Sequence, residues 1–201
     1  MNLNVINARV TFHKSPIHML ERFTFKDLDS AYSSFMEHSG LKECVILQTC
    51  NRVEIFGAGN AQDVEKVKRT WASLAGLEEN AFKENLEVSK GTEAYEHLLK
   101  LTAGLDSLVV GEEQILGQIK DSITTAREAN ASGNNLNTLF DKAIRVGSRV
   151  RNTTRISRGS ISIGSMAVKL AEENIDDLKS KHILLIGTGE AASLEIGRAH
   201  V

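Results

Sequence analysis

Cys44-Val45-Ile46-Leu47-Gln48-Thr49-Cys50-Asn51-Arg52-Val53-Glu54-Ile55-Phe56 is the stretch on which the fold turns. Residues 44–47 and 53–56 are short apolar runs with the aliphatic and aromatic content of buried strands, and Gly57 and Gly59 follow the second. Residues 48–52 are the polar connection between them. Cys50 therefore sits in a turn beside a guanidinium, which can favour a thiolate or clamp a carboxylate. Local context alone leaves two readings of Cys50, a nucleophile or a small buried hydrophobe. Cys44, inside an apolar run, reads as core.

Upstream, the first ten residues alternate as a half-buried strand does, and Pro16 stands where a helix through Ile17, Leu20 and Phe23 begins. A second helix is predicted over 27–38, with Leu28, Ala31, Tyr32 and Phe35 on one face and Gly40 ending it. Downstream, Val64, Val67, Trp71 and Leu74 continue at helical spacing to Gly76, closing an α+β unit of roughly four strands. From Thr92 to about Asn152 the pattern is helical, through Leu98, Leu99 and Leu101, then Ile115, Ile119 and Ile123, then Leu139, Ile144 and Val146, with a break at 132–135. Another helical run at 166–171 precedes the apolar strand 182–186, which ends in Gly187, Thr188, Gly189, Glu190, Ala191 and Ala192. Glycines directly after such a strand allow a tight turn and close approach of a pyrophosphate to the following helix. The expected architecture is an α+β catalytic domain with a helical section over 1–158, followed over 159–195 by a connecting helix and the start of a truncated Rossmann α/β domain. Residues 196–201, Ile-Gly-Arg-Ala-His-Val, translate one reading frame of a widely used sequencing adapter and are set aside as a read-through artefact.

With 201 residues, 41% hydrophobic and 25% charged, the chain can bury a sizeable core. A formal charge of -2 supplies no bulk cationic field, so nucleic-acid contact would need a local patch. Lys142, Arg145, Arg149, Arg151, Arg155 and Arg158, opposed only by Asp141, form the candidate, with 142, 145 and 149 on one helical face; a solvated helix face would look the same. Two cysteines are too few for a disulfide framework and point to a reducing compartment. The start of the chain lacks the pattern of a secretion signal, and no run approaches ~18 apolar residues, so the protein is expected to be soluble and cytoplasmic. No metal site is expected.

Residues 49–55, Thr-Cys-Asn-Arg-Val-Glu-Ile, resemble the signature of glutamyl-tRNA reductases. Residues 104–118, Gly-Leu-Asp-Ser-Leu-Val-Val-Gly-Glu-Glu-Gln-Ile-Leu-Gly-Gln, resemble that family's second signature, and the likeness extends through 160–164 to 187–190. The resemblance implies NADPH-dependent reduction of glutamyl-tRNA to glutamate-1-semialdehyde through a cysteine thioester, the first step of tetrapyrrole (porphyrin, haem) biosynthesis. Cys50 would be the nucleophile. Thr49, Asn51, Arg52, Ser107, Glu112, Glu113, Gln114 and Gln118 would contact the substrate, Arg52 being the best bidentate partner for a carboxylate. Glu113 stands where many relatives carry proline, so it restores an amide donor and adds charge. His97 matches, by its spacing to the second signature, a histidine that supports activity by managing protons or orienting the site. Gly187, Thr188, Gly189, Glu190, Ala191 and Ala192 would bind NADPH, and the basic residues of 142–158 would meet tRNA. The resemblance further implies a homodimer at full length and a complex with glutamate-1-semialdehyde aminomutase, with this fragment lacking most of the hydride-transfer machinery. A non-catalytic aminoacyl-tRNA binding module and a different NADP-dependent dehydrogenase acting on a free small molecule remain the alternatives.

Overall fold

In the computed structural model, which describes residues 4–112, 114–154, 156, 163–175, 177 and 180–182, the alternating start of the chain forms strand β1 (Val5–Thr11). Helix α1 (Ile17–Leu20) and a 3-10 turn at Glu21–Phe23 lead into α2 (Leu28–His38). Asp27 caps α2 by accepting the Asp29 N–H, one of the four donors that a helix start leaves unpaired. Strands β2 (Glu43–Gln48) and β3 (Arg52–Ala58) flank the Cys50 turn, and α3 (Val64–Ala75) follows. Gly76 ends α3 in the left-handed region, at φ 63°, where the Leu77 N–H returns to the Ala72 carbonyl. Next come α4 (Phe82–Asn85), β4 (Leu86–Lys90) and α5 (Thr92–Ala103), then the long helices α6 (Gln114–Glu128) and α7 (Asn134–Thr154), and α8 (Ile163–Asn174).

The strands form a four-stranded antiparallel sheet in the order β2-β3-β1-β4. Side chains alternate across a strand, so Arg52, Glu54, Phe56 and Ala58 share one face of β3 and Val53, Ile55 and Gly57 the other. Both faces are covered, since every residue of β3 is buried. On the Arg52 side, Phe56 meets Phe140 of α7 edge-on at 5.2 Å and stacks against His97 of α5. On the opposite side, Gly57 lies against Leu41, and the Tyr32 hydroxyl of α2 accepts the Ile46 N–H of edge strand β2. Phe23, Phe25, Phe35, Trp71 and Phe82 form an aromatic cluster, in which the Trp71 indole donates to the Phe23 carbonyl at 2.8 Å.

Two features differ from the sequence reading. The fourth strand is β4, beyond Gly76 where the α+β unit was expected to close, and α5, α6 and α7 pack on the sheet itself, sharing its core. Glu43, at the start of β2, locks α7 in place: its carboxylate accepts the backbone N–H groups of Asn135 and Leu136, at 3.1 and 2.7 Å, and the Asn135 side chain at 2.7 Å. A carboxylate there also matches the positive end of the helix dipole. The α+β architecture with a helical section is present. The start of a Rossmann domain is not shown, because residues 183–192 lie outside the described residues, as do 196–201. Among the described residues, no helix is long and apolar enough to cross a membrane.

Phe140 is wholly buried between α7 and the sheet. Phe140→Ala is expected to lower the unfolding free energy by about 3–5 kcal/mol in urea denaturation. A loss below about 1 kcal/mol would show that the second face does not belong to the same core.

Candidate active site

The turn between β2 and β3 is fixed by its own backbone. Thr49 N–H donates to the Arg52 carbonyl at 2.9 Å, Asn51 N–H to the Thr49 hydroxyl at 3.1 Å, and Phe12 N–H to the Asn51 carbonyl at 3.0 Å. Cys50 stands exposed at the tip, and no disulfide joins it to Cys44, which is buried in β2. Burial pushes the Cys44 thiol far above its ordinary range, so that thiol stays protonated and inert.

Directly beneath the turn, Arg52 is 1% exposed, and its charge is met by Glu54 of β3 and Asp106 of the loop after α5. Its Nη1 donates to Glu54 Oε1 and to Asp106 Oδ2, each at 2.9 Å, and its Nη2 donates to the Asp106 carbonyl. Glu54, fully buried on the same strand, accepts the Asn7 amide of β1 at 2.9 Å on Oε2. The same oxygen lies 2.8 Å from His97 Nε2 of α5. Burial alone would raise the Glu54 carboxyl, but His97 and Arg52 together hold it well below the usual carboxylate range. An ionised carboxylate only accepts, so His97 Nε2 carries the proton in this contact. Asp106 is likewise lowered against the effect of burial, chiefly by its hydrogen bond to Arg52, and its Oδ1 lies 3.1 Å from His13 Nε2. Among the described residues, Arg52 Nε and the second Nη2 hydrogen make no hydrogen bond, so one edge of the fork stays open while the Nη1 side is committed.

The long connection from α5 to α6 forms the other wall. Gly104 ends α5 at φ 80°, and the Gly111 N–H closes the loop on the Gly104 carbonyl at 2.8 Å. A narrow cleft of about 20 Å³ is lined by Thr49, Cys50, Asn51, Arg52, Ser107, Leu108, Glu112, Gln114, Ile115 and Gln118. Cys50 thus shares one space with every residue that the sequence nominated for substrate contact except Glu113, which lies outside the described residues. The Ser107 hydroxyl is buried with no hydrogen-bond partner in normal geometry among the described residues, and burial raises the Glu112 carboxyl beside it. The Glu112 carboxylate leans on that hydroxyl and on the Arg52 and Arg151 charges, all of which oppose the effect of burial.

His97 does not line the cleft; it sits in the ionic cluster below, 2.8 Å from Glu54. Gly187, Thr188, Gly189, Glu190, Ala191 and Ala192 lie outside the described residues. The basic patch needs a correction. Lys142, Arg145 and Arg149 are exposed on α7, but Arg151 is 6% exposed and bonds the carbonyls of Thr102, Gly111 and Glu112; Arg155 and Arg158 lie outside the described residues. Arg151 continues the buried stripe of Leu136, Phe140, Ala143 and Gly147, a helical period that the sequence displays. Glu54 and Asp106 sit within the quoted signatures, yet their pairing across the fold has no local signal. A wider hollow between α2 and α3, about 540 Å³ and lined by residues including His38, Lys66 and Arg69, holds no thiol and gathers none of the nominated residues.

Residues 8–154 match the family model described as glutamyl-tRNAGlu reductase, N-terminal domain. Similar curated proteins include the glutamyl-tRNA reductases of Cenarchaeum symbiosum, 63% identical over 94% of this chain and 46% of that protein, and of Methanosarcina barkeri, 43% identical over 94% and 41%. Glutamyl-tRNA reductase from Methanopyrus kandleri matches in structure with a TM-score of 0.72 at 32% identity, over 98% of this chain and 47% of that one. The chain spans about half the length of the curated relatives it matches.

In the folded chain a disulfide-exchange reagent is expected to find one fast thiol, abolished in Cys50→Ser, with Cys44 reacting only on unfolding. A fast thiol surviving in Cys50→Ser would contradict the buried position of Cys44. A second expectation concerns acid. Carboxyls with lowered folded values contribute stability that is fully present above their unfolded values, near pH ~4, and is lost as the pH falls through the folded values. Unfolding free energy should therefore be flat from neutrality to about pH 5 and fall below it, less steeply in Glu54→Gln; equal slopes would show that Glu54 keeps its ordinary value.

Proposed function

This chain belongs to the glutamyl-tRNA reductase family, and from that premise we propose that its cleft performs the acyl-transfer half of an NADPH-dependent reduction of glutamyl-tRNA to glutamate-1-semialdehyde, the opening step of tetrapyrrole synthesis. The observation that carries this reading is the convergence of an exposed thiol with the nominated polar side chains around one cleft. Cys50 as thiolate attacks the carbonyl carbon of the ester. The bond from that carbon to the ribose oxygen breaks, the oxygen leaves as a hydroxyl with the proton the thiol gave up, and glutamate remains on Cys50 as a thioester.

A glutamyl ester offers a γ-carboxylate and an α-ammonium to hold. The open edge of Arg52 suits the carboxylate, because a guanidinium presents parallel N–H groups to a planar acceptor. Glu112 suits the ammonium, since a bound cation relieves the cost of ionising a carboxyl that burial has raised. Ser107, Thr49, Asn51, Gln114 and Gln118 supply neutral donors and acceptors around the same space, and Glu113, by resemblance alone, is a further contact. His97 acts from below by fixing Glu54 and through it Arg52.

By resemblance, residues 187–192, which lie outside the described residues, would hold NADPH, and the group would supply a hydride; the chemistry proposed for the described cleft ends at the acyl-enzyme. Exposed Lys142, Arg145 and Arg149 are the proposed tRNA contacts, with affinity that falls as salt rises. By resemblance we place the protein in the cytoplasm, homodimeric at full length and partnered with glutamate-1-semialdehyde aminomutase.

Incubating the chain with glutamyl-tRNA is expected to add one glutamyl mass to the peptide carrying Cys50, with tRNA released, and Cys50→Ser should show neither. Deacylation at an unchanged rate in Cys50→Ser would favour a non-catalytic binding module instead.

A further inference from the structure

We infer that Arg151, buried at the C-terminal end of α7, is a positioning residue for the cleft: it holds the backbone of the loop that carries Ser107 and Glu112 against the Cys50 turn. The inference rests on the acyl-transfer reading of the same cleft.

The loop between α5 and α6 has little to keep it in place by itself. It is irregular, it leaves Leu105, Leu108 and Val110 about half exposed, and its own backbone bonds are few. It is instead tied at both ends by buried guanidinium groups. At the front, Arg52 holds the side chain and carbonyl of Asp106. At the back, Arg151 Nε donates to the Thr102 carbonyl at 2.9 Å, while Nη1 donates to the carbonyls of Gly111 and Glu112 at 3.1 and 2.6 Å. Ser107 lies between these ties and Glu112 at the second of them, and both line the cleft.

The surrounding residues make room for the second tie. A Cβ at Gly104 would come within 2.5 Å of Arg151 Nη2. A Cβ at Gly147, one turn before Arg151 on the same face of α7, would lie 2.6 Å from the Thr102 backbone, so glycine there lets α7 approach α5 closely enough for Arg151 to reach across. Gly111, at φ 85°, adopts a conformation that other residues resist, and it offers its carbonyl to Arg151. A hydrophobic side chain would fill the same space; only a planar fork meets carbonyls on the helix end and on the far side of the loop at once.

The test is single-turnover acylation of Cys50 by glutamyl-tRNA in Arg151→Met and Arg151→Lys, beside the rate at which iodoacetamide alkylates Cys50. Misplacement of recognition groups by about an ångström costs rates of tenfold or more, so Arg151→Met should acylate at least about tenfold more slowly. Alkylation should be unchanged, because it needs the thiol and not the loop, and added ethylguanidinium should restore part of the acylation in Arg151→Ala. Wild-type acylation in Arg151→Met would overturn the inference. So would a parallel loss of acylation and of native circular dichroism without rescue in Arg151→Lys, which would make Arg151 a general staple of the fold. Amide exchange reads the clamp without substrate: faster exchange confined to 104–112 is expected in Arg151→Lys, and unchanged exchange overturns the inference even if the parent chain is never acylated, a result that would sink the acyl-transfer reading separately.

Discussion

A guanidinium buried in the face of a β-sheet needs its charge compensated, and the structure around the Cys50 turn is organised by that requirement for Arg52. Moving a charge out of water costs several kcal/mol even after relaxation, and only well-placed partners recover it. The partners come from parts of the chain far apart in sequence: Glu54 beside it on β3, Asp106 from the loop after α5, and, through Glu54, Asn7 of β1 and His97 of α5. Each contact also fixes a wall of the cleft. The ionic cluster is thus a weak source of net stability and a strong source of register, because misplacing any one member leaves a charge unpaired in a dry interior.

The two-residue period of β3 explains how such a cluster coexists with an apolar core. Val53 and Ile55 face the side of α2 and α3, while Arg52 and Glu54 face the side of α5 and α7. Along β1 the same polar face carries Asn7, Arg9 and Thr11, and Arg9 reaches Ser89 and Glu87 of β4. Phe56 and Phe140 close the face beyond the cluster with a packed aromatic pair. One side of the sheet therefore supplies most of the hydrophobic stabilisation, and the other grades from apolar at the Phe56 end to ionic at the Cys50 end.

Legibility in the sequence follows from whether a feature has a local signature. The turn at 49–51, the strands beside it, α2 with its Asp27 cap, α3 with its Gly76 stop and the long helices are written in short-range period and punctuation, so they could be read directly. Strand β4 could not: Leu86 and Val88 are its only large apolar residues, because Glu87 and Ser89 are spent on Arg9. The packing of α5 to α7 on the sheet is a relation between distant segments, and nothing near Glu54 announces that His97 will meet it. The buried Arg151 is a different case. Charge led to its reading as surface, whereas the stripe of Leu136, Phe140, Ala143 and Gly147 runs through it, and helical period was the better guide. The cleft residues were recoverable through family motifs rather than through physics, since polar groups awaiting a ligand carry no folding signature of their own.

The division between an exposed thiol and buried recognition groups bears on how so large a substrate could be handled. Cys50 stands exposed at the tip of a hairpin, where the proposed substrate ester would approach without the polynucleotide entering the protein. In the proposed reading, discrimination falls to Arg52, with one edge open, and to Ser107 and Glu112, on a loop held at each end by an arginine. Preorganised donors of this kind cost little reorganisation when the acyl group arrives, which is where fixed dipoles outperform water. An exposed thiol over a buried ionic floor would also leave the proposed thioester accessible from the solvent side.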